Sequence, residues 1–210
     1  MPIAREGWPL ILVPLGLAVV LFLLRWPWTG GVLLLLGLFT AFFFRDPDRA
    51  VPGDPRLVLS PADGKVIVAG PAPAGNPLGE GATQVSVFLS IFDVHVNRAP
   101  IGGLISRVEY HEGQFLPAFQ DKASLANEQN SVTIDAGGAG QRVAFKQIAG
   151  LIARRIIFKK QVGDTVAAGE RVGMIKFGSR VDVFLPRNVL LRVRKGDRVV
   201  AGVSALGERP

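Results

Sequence analysis

The sequence predicts a mostly β domain of the α+β class, preceded by a pair of N-terminal apolar helices. Three observations predict it. Two uncharged apolar runs, each approaching the ~20 residues that span hydrocarbon, occupy positions 8–24 and 26–44. A stretch of charges, prolines and glycine follows. Beyond it, short β-branched runs separated by Gly, Pro, Asn and Asp recur to the end, which is the pattern of strands and turns.

Composition narrows the chemistry. A chain of 210 residues has room for one ordinary domain and an appendage. Hydrophobic residues make up 49% and mean hydropathy is +0.34, high for a wholly soluble chain, so part of it is expected in lipid. The absence of cysteine excludes disulfides, thiolate catalysis and cysteine-bound zinc. With only His95 and His111, a multi-histidine metal site is not expected, and near-neutral acid–base work falls on very few groups. The formal charge of +7 attracts anionic partners. Its basic residues are scattered, no nucleic-acid-binding signature is present, and the apolar N-terminus favours a lipid surface, so no nucleic-acid partner is expected.

The first run reads WPLILVPLGLAVVLFLL and the second WPWTGGVLLLLGLFTAFFF. Arg25 lies between them, with Pro27, Thr29, Gly30 and Gly31 close behind, which predicts the tip of a transmembrane helical hairpin. Trp8, Trp26 and Trp28 sit where interfacial aromatics belong. Arg5 precedes the hairpin and Arg45, Arg49 and Arg56 follow it, which favours both ends inside. The second run argues against a cleaved signal peptide. Pro14 and the modest lengths leave open a hairpin that dips into one leaflet. The expected organisation is a membrane anchor over 1–45, a linker over 46–56 and a catalytic domain over 57–210. That domain is expected on the cytoplasmic side of the cell's inner membrane.

Strands are expected in GKVIVAG, TQVSVFLSI, LISRVEY, SVTIDA, QRVAFKQIA and LIARRIIF, with a helical turn near DKASLANEQ. Two later segments, QVGDTVAAGERVGMIKFG and VRKGDRVVAGVSALGE, resemble each other through a Gly-Asp turn, a following Val and a second glycine. They read as two β-hairpins, similar to half of a biotinyl or lipoyl hammerhead barrel but without the attachment lysine expected at its tip.

Several constellations are candidates for chemistry. In LSPADGKV, Asp63 stands in ordinary turn residues and is a carboxylate available to orient a histidine. In FLSIFDVHVNRAPIGG, His95 alternates with Val94 and Val96, and Asn97, Arg98 and Pro100 follow; a buried, hydrogen-bonded histidine and a functional one are equally good readings of those residues. His111 reads as a residue of a solvated turn. The cluster Lys122, Asn127, Glu128, Gln129 and Asn130 reads as a solvated loop with a site role left open. In VGMIKFGSRVDVFLP, Gly178 and Ser179 join two apolar strands; a glycine there leaves its carbonyl open to Ser179 Oγ, the arrangement an N-to-O acyl shift needs. The dipeptide alone is a weak signal.

In combination, the PADG turn, the HVNRAP run, the NEQN cluster and the Gly178–Ser179 stretch, in this order behind an apolar N-terminus, resemble the phosphatidylserine decarboxylase family in its short, membrane-anchored form. The resemblance covers Leu59 to Leu206. It implies self-cleavage at Gly178–Ser179, giving a β chain of 1–178 and an α chain from 179 to 210 whose first residue becomes a pyruvoyl group. Many relatives carry two histidines three apart; here the first corresponds to His95 and the second position is Arg98. Either His95 serves both steps, or Asp63 and a water take part.

A decarboxylase acting on an α-amino acid needs an electron sink conjugated to the amine. No lysine lies in a recognisable pyridoxal phosphate cradle, and the resemblance implies the pyruvoyl group made from Ser179 as cofactor, with no PLP and no metal. His95 is the expected proton carrier, Asp63 its orienting group, and Arg98, Lys122 and Arg180 are the candidates for head-group contact. The implied partners are phosphatidylserine in the bilayer and the two chains of one precursor; the number of protomers, a homo-oligomer included, stays open. Two other readings remain: a membrane-anchored, signal-peptidase-like serine hydrolase using Ser179, and a non-enzymatic tethered β module.

Overall fold

The computed structural model describes residues 2–120, 122–138, 141–151, 155–176 and 179–210. Its backbone contacts divide it into an N-terminal unit ending at Asp48 and a second unit, Arg49–Pro210.

In the N-terminal unit, a 3-10 turn at Arg5–Gly7 leads into α1 (Trp8–Leu23), and α2 (Pro27–Phe43) follows. Both helices carry proline in the first turn, where its missing N–H costs no helical bond. Arg25 takes the left-handed conformation, φ 62°, at the reversal between them. The helices pack through small residues: a Cβ on Gly37 would stand 2.5 Å from Leu15 Cδ2. At the open end Ala4 N–H donates to Phe44 O at 2.8 Å and Asp46 N–H to Pro2 O at 2.9 Å. Arg5–Leu23, 19 residues long, is long and apolar enough to cross a membrane. Pro27–Phe43 is shorter, at 17 residues.

The second unit is mostly β. Its strands are β1 (Leu57–Leu59), β2 (Gly64–Pro71), β3 (Thr83–Leu89), β4 (Val96–Arg98), β5 (Gly103–His111), β6 (Gln129–Asp135), β7 (Arg142–Ile148), β8 (Ile156–Phe158), β9 (Thr165–Val166), β10 (Arg171–Ile175), β11 (Ser179–Leu185), β12 (Leu190–Leu191), β13 (Arg198–Val199) and β14 (Ala205–Glu208); the one-turn α3 (Ala123–Ala126) precedes β6. One sheet of eight strands runs in the order β13-β2-β3-β11-β7-β6-β5-β9, and two of three strands run β1-β14-β12 and β4-β10-β8.

That order is symmetric about its centre, and the bonding shows an internal duplication. Leu59 N–H donates to Pro100 O at 2.8 Å, and Arg98 N–H returns the bond to Pro61 O at 2.9 Å. Val66 and Ile105 each exchange a pair of backbone bonds with a Gly-Asp turn, Gly196–Asp197 and Gly163–Asp164 respectively. Just beyond those residues β2 and β5 each carry a bulge. The second copy, β4 to β10, is inserted between β3 and β11 of the first. The two similar segments noted in the sequence are therefore equivalent turns, but their strands do not close on one another as local hairpins: β9 pairs with β5, β13 with β2, β10 with β4 and β8, and β14 with β1 and β12.

Alternation places Val181, Val183 and Leu185 of β11 in one core with Val85, Val87, Leu89, Val132, Ile134, Val143 and Phe145. Central position and burial on both sides make β11 hard to extract, each such side chain contributing about 1.5–3 kcal/mol. The opposite face of the sheet is polar, with Gln84, Ser86, Arg180, Asp182, Ser131 and Thr133 all buried.

Candidate active site

Ser179 is the first residue of β11 and is fully buried. It pairs with Leu89 at the end of β3, and its Oγ has no hydrogen-bond partner among the described residues. Leaving a buried hydroxyl unsatisfied costs about 1–3 kcal/mol, which marks this oxygen as one the fold keeps for another purpose. Gly178 and Phe177 lie outside the described residues.

His95 is also fully buried. It stands just ahead of β4 rather than within a strand, so Val94 and Val96 are not simply its opposite face: all three are buried. Its Nδ1 lies 2.9 Å from Asp93 O. A carbonyl only accepts, so Nδ1 carries the proton and Nε2 is the basic nitrogen of the neutral ring. Asp93 is itself fixed by Ser90, whose N–H and Oγ donate to its carboxylate at 2.8 and 2.7 Å. Two backbone ties connect this turn to Ile175 and Ser179. Leu89 pairs with Ser179, and Ile175 N–H donates to His95 O at 3.4 Å, so residues 89–95 and 175–179 are fastened at both ends.

A chain of buried amides leads from Asn97, two residues after His95, and of its members the sequence reading named Asn97 and Asn130 but missed Gln147. Asn130 Nδ2 donates to Gln147 Oε1 at 3.1 Å, Gln147 Nε2 to Asn97 Oδ1 at 2.9 Å, and Asn97 Nδ2 to Pro61 O at 3.4 Å. Gln147 faces Val181 across the β7–β11 ladder. The available signal was Gln147 itself, an amide in phase with Val143 and Phe145 on a core face.

Asp63 is engaged at both oxygens, by Arg49 Nη2 at 2.8 Å and by Ala201 N–H at 2.7 Å. Burial raises its pKa above the ordinary carboxylate value; the Ala201 N–H and Arg49 pull it back, and the nearby Asp93 charge adds to the rise. Asp63 thus lies within electrostatic reach of the turn that carries His95, although its bonds go to Arg49 and Ala201.

The three head-group candidates occupy different places. Arg98 is buried, donates through Nη1 to Gly169 O at 3.0 Å and packs against Gly202, where a Cβ would come within 2.8 Å of its Cδ. Arg180 is buried in an ion pair with Asp182, at 2.6 Å, and donates from Nη2 to Ser86 Oγ at 2.9 Å. Lys122 alone is exposed, immediately before α3. The 127–130 cluster is not a solvated loop: Asn127, Gln129 and Asn130 are buried, and Asn127 Nδ2 holds Leu116 O and Ala149 O at 2.8 and 2.7 Å. His111 is exposed but ends β5, paired with Gln129, rather than occupying a turn. Lys146, half-buried beside Asp182, has its pKa lowered by burial.

The fold therefore joins a buried, unsatisfied serine at the head of a central strand to a buried histidine with its basic nitrogen defined, which is the equipment of a self-processing or acyl-transferring protein. A sequence model of the family described as phosphatidylserine decarboxylase matches residues 36–207. Three similar proteins are each named phosphatidylserine decarboxylase proenzyme. That of Geotalea uraniireducens is 44% identical over 100% of this chain and 97% of its own length. That of Solibacter usitatus is 54% identical over 84% and 82%. That of Symbiobacterium thermophilum is 44% identical over 99% and 96%. The chain belongs to the phosphatidylserine decarboxylase family.

Proposed function

We propose that this protein converts phosphatidylserine to phosphatidylethanolamine and carbon dioxide, using a pyruvoyl group that it makes from its own Ser179. The observation that carries this reading is the buried Ser179 hydroxyl, without a partner among the described residues, set at the start of a central strand of the eight-stranded sheet. A serine destined to attack its own peptide bond has to be kept free of competing bonds.

In the processing step, His95 Nε2 accepts the Ser179 hydroxyl proton as Oγ attacks the Gly178 carbonyl carbon; the Gly178–Ser179 amide breaks as the ester forms. Removal of the Ser179 α-proton then expels the Gly178 carboxylate, and one water converts the remaining enamine into a ketone with loss of ammonia. The residues around Ser179 fit the product: β11 holds the new chain end through pairings with β3 and β7, and the Arg180–Asp182 pair fixes the next side chain. When present, the pyruvoyl group supplies the electron sink that decarboxylation of an amino acid requires. His95 is the proton carrier at the reacting carbon, and Asp93 O holds its ring in the tautomer for that task. Asp63 and Arg49 tune the surroundings of that turn rather than orienting the ring directly.

The chain is organised as an anchor over 1–45, a linker over 46–56 and a catalytic domain over 57–210, with α1 in the cell's inner membrane and the domain on its cytoplasmic side. A diacyl substrate is held in the bilayer by about 0.8 kcal/mol per methylene, so a tether that brings the site to the interface serves it. Intact mass under denaturing conditions tests the reading. Two chains, 1–178 and 179–210, the second lacking an amino terminus, are expected from the wild type, and one chain from Ser179→Ala. Wild-type protein that stays whole, or a cleaved Ser179→Ala variant, overturns it.

A further inference from the structure

Three chain crossings meet at one edge of the eight-stranded sheet. β3 leaves it at Leu89, β7 leaves it at Ile148, and β11 enters it at Ser179, because β3 and β7 both run antiparallel to β11. Large apolar side chains stand exposed on the segments that leave there. Ile91 and Phe92 follow Leu89 and are 37% and 63% exposed. Leu151 follows Ile148 and is 58% exposed. Phe119 is 62% exposed and reaches the same edge by stacking edge-on against Phe88, which pairs with Arg180. These residues do not form a flat patch on a strand or helix face. They are single side chains on separate loops around the entry of β11, a spacing that suits insertion among lipid chains better than the continuous surface of a protein partner.

Charge points the same way. No Asp or Glu occurs from Ala136 to Gly163, a stretch that carries six Lys and Arg residues. Arg155 and Lys159, at the two ends of β8, and Lys122 on the loop after Phe119 are all exposed. The acidic residue on the Ile91–Phe92 loop, Asp93, is bonded to Ser90 and lies 3.6 Å from Arg198. Apolar tips flanked by cations are the combination that binds an anionic phospholipid interface.

We propose that this edge is a bilayer-docking rim, in which Ile91, Phe92, Phe119 and Leu151 insert among the lipids around the entrance to Ser179 while Lys122, Arg155 and Lys159 meet anionic head groups. It rests on the lipid-decarboxylase reading and adds to it a second membrane contact, made by the catalytic unit itself. The rim delivers the substrate amine to the buried centre without the diacyl chains leaving the bilayer.

Two measurements on the full-length protein test it. In the first, wild type and a Phe92→Ser/Phe119→Ser variant are assayed on vesicles of phosphatidylcholine with phosphatidylserine, and on dihexanoyl phosphatidylserine below its micelle concentration. The variant should lose about tenfold on vesicles, the scale of one lost aromatic insertion, and stay within about twofold of wild type on the monomeric lipid. Equal loss on both substrates, or no loss on either, overturns the rim. In the second, the cysteine-free background allows single nitroxide labels at Phe92→Cys and at Leu190→Cys, the latter beyond the far end of β11. With phosphatidylserine vesicles, the label at 92 should become more accessible to oxygen than to a water-soluble nickel chelate, and the label at 190 should not. Identical behaviour at the two sites overturns the rim even if the double variant fails to fold. Wild-type protein that is cut but inactive on both lipids sinks the decarboxylase reading instead, and the nitroxide depths still judge the rim.

Discussion

Arg180 and Asp182 stand two residues apart on β11, so they share a face, and Arg180 Nε donates to Asp182 Oδ1 at 2.6 Å with neither side chain more than 2% exposed. Ser124 Oγ donates to the other oxygen of the same carboxylate, and Ser86 Oγ accepts from the same guanidinium. The pair thus fastens the residue that follows Ser179 both to the neighbouring strand and to the α3 segment. Arg180→Met leaves a buried carboxylate without its cation and should cost about 3–5 kcal/mol. Arg180→Met/Asp182→Leu removes both charges and should recover most of that loss. Thermal unfolding in the uncut Ser179→Ala background measures the cycle without the complication of two chains.

His95 supplies a prediction that separates position from chemistry. Asn in its place keeps a donor near the position of Nδ1 for Asp93 O but has no basic nitrogen. His95→Asn should therefore remain folded and slow self-cleavage by about 10²–10⁴-fold, the range for loss of a positioned base. Pulse-chase appearance of the 179–210 chain is the measurement. Cleavage at the wild-type rate would remove His95 from the processing step.

Asp63 gives the pH dependence its sign. Its folded pKa is raised, chiefly by burial, so its contribution to stability is complete below its unfolded value of about 3.9 and is lost as pH rises through the folded value. Arg49 opposes the rise. Arg49→Met should lift the folded value further, destabilising the protein by about 1–3 kcal/mol at pH 7, the worth of a hydrogen bond to a charged group, and by little near pH 3, where the carboxyl is protonated in both states. Denaturant midpoints at the two pH values test this; an equal loss at both would assign Arg49 a packing role.

The strands and the site were legible to different degrees for physical reasons. TQVSVFL and QRVAFKQI alternate with period two, and both became strands whose apolar residues line one core. The burial of Asn127, Gln129 and Asn130 was not legible, because an amide in a loop and an amide satisfied inside a fold look alike until the partners, here Leu116, Ala149 and Gln147, are known. The partners of Arg98 and Arg180 were not legible for the same reason: in the sequence each reads as a ligand for an anion, and in the fold one donates to Gly169 O and the other pairs with Asp182. Of the duplication only the two similar Gly-Asp segments were legible, because the rest is carried by backbone bonding. SPADG and APIGG share only a proline and a glycine, yet Pro61 and Pro100 accept equivalent bonds.

That duplication yields a test of its own. Gly64 and Gly103 open the equivalent strands β2 and β5 with φ of 149° and 151°, and a Cβ at either would stand 2.1 Å from Phe88 O or 2.3 Å from Asp135 O. Neither carbonyl can yield without its strand moving, so Gly64→Ala and Gly103→Ala should each cost several kcal/mol, on the order of 2–4, from clash and backbone strain together. Their effects on chemistry should differ. Phe88 adjoins Leu89, the partner of Ser179, whereas Asp135 pairs with Arg142 at the equivalent place in the inserted copy, where the chain stays whole. Gly64→Ala should therefore slow self-cleavage in the folded fraction as well as lower the melting temperature, and Gly103→Ala should lower the melting temperature and leave the cleavage rate near that of wild type. Thermal melts and cleavage time courses on the same preparations decide it; equal slowing by both variants would show that cleavage follows overall stability rather than the local pairing of Leu89 with Ser179.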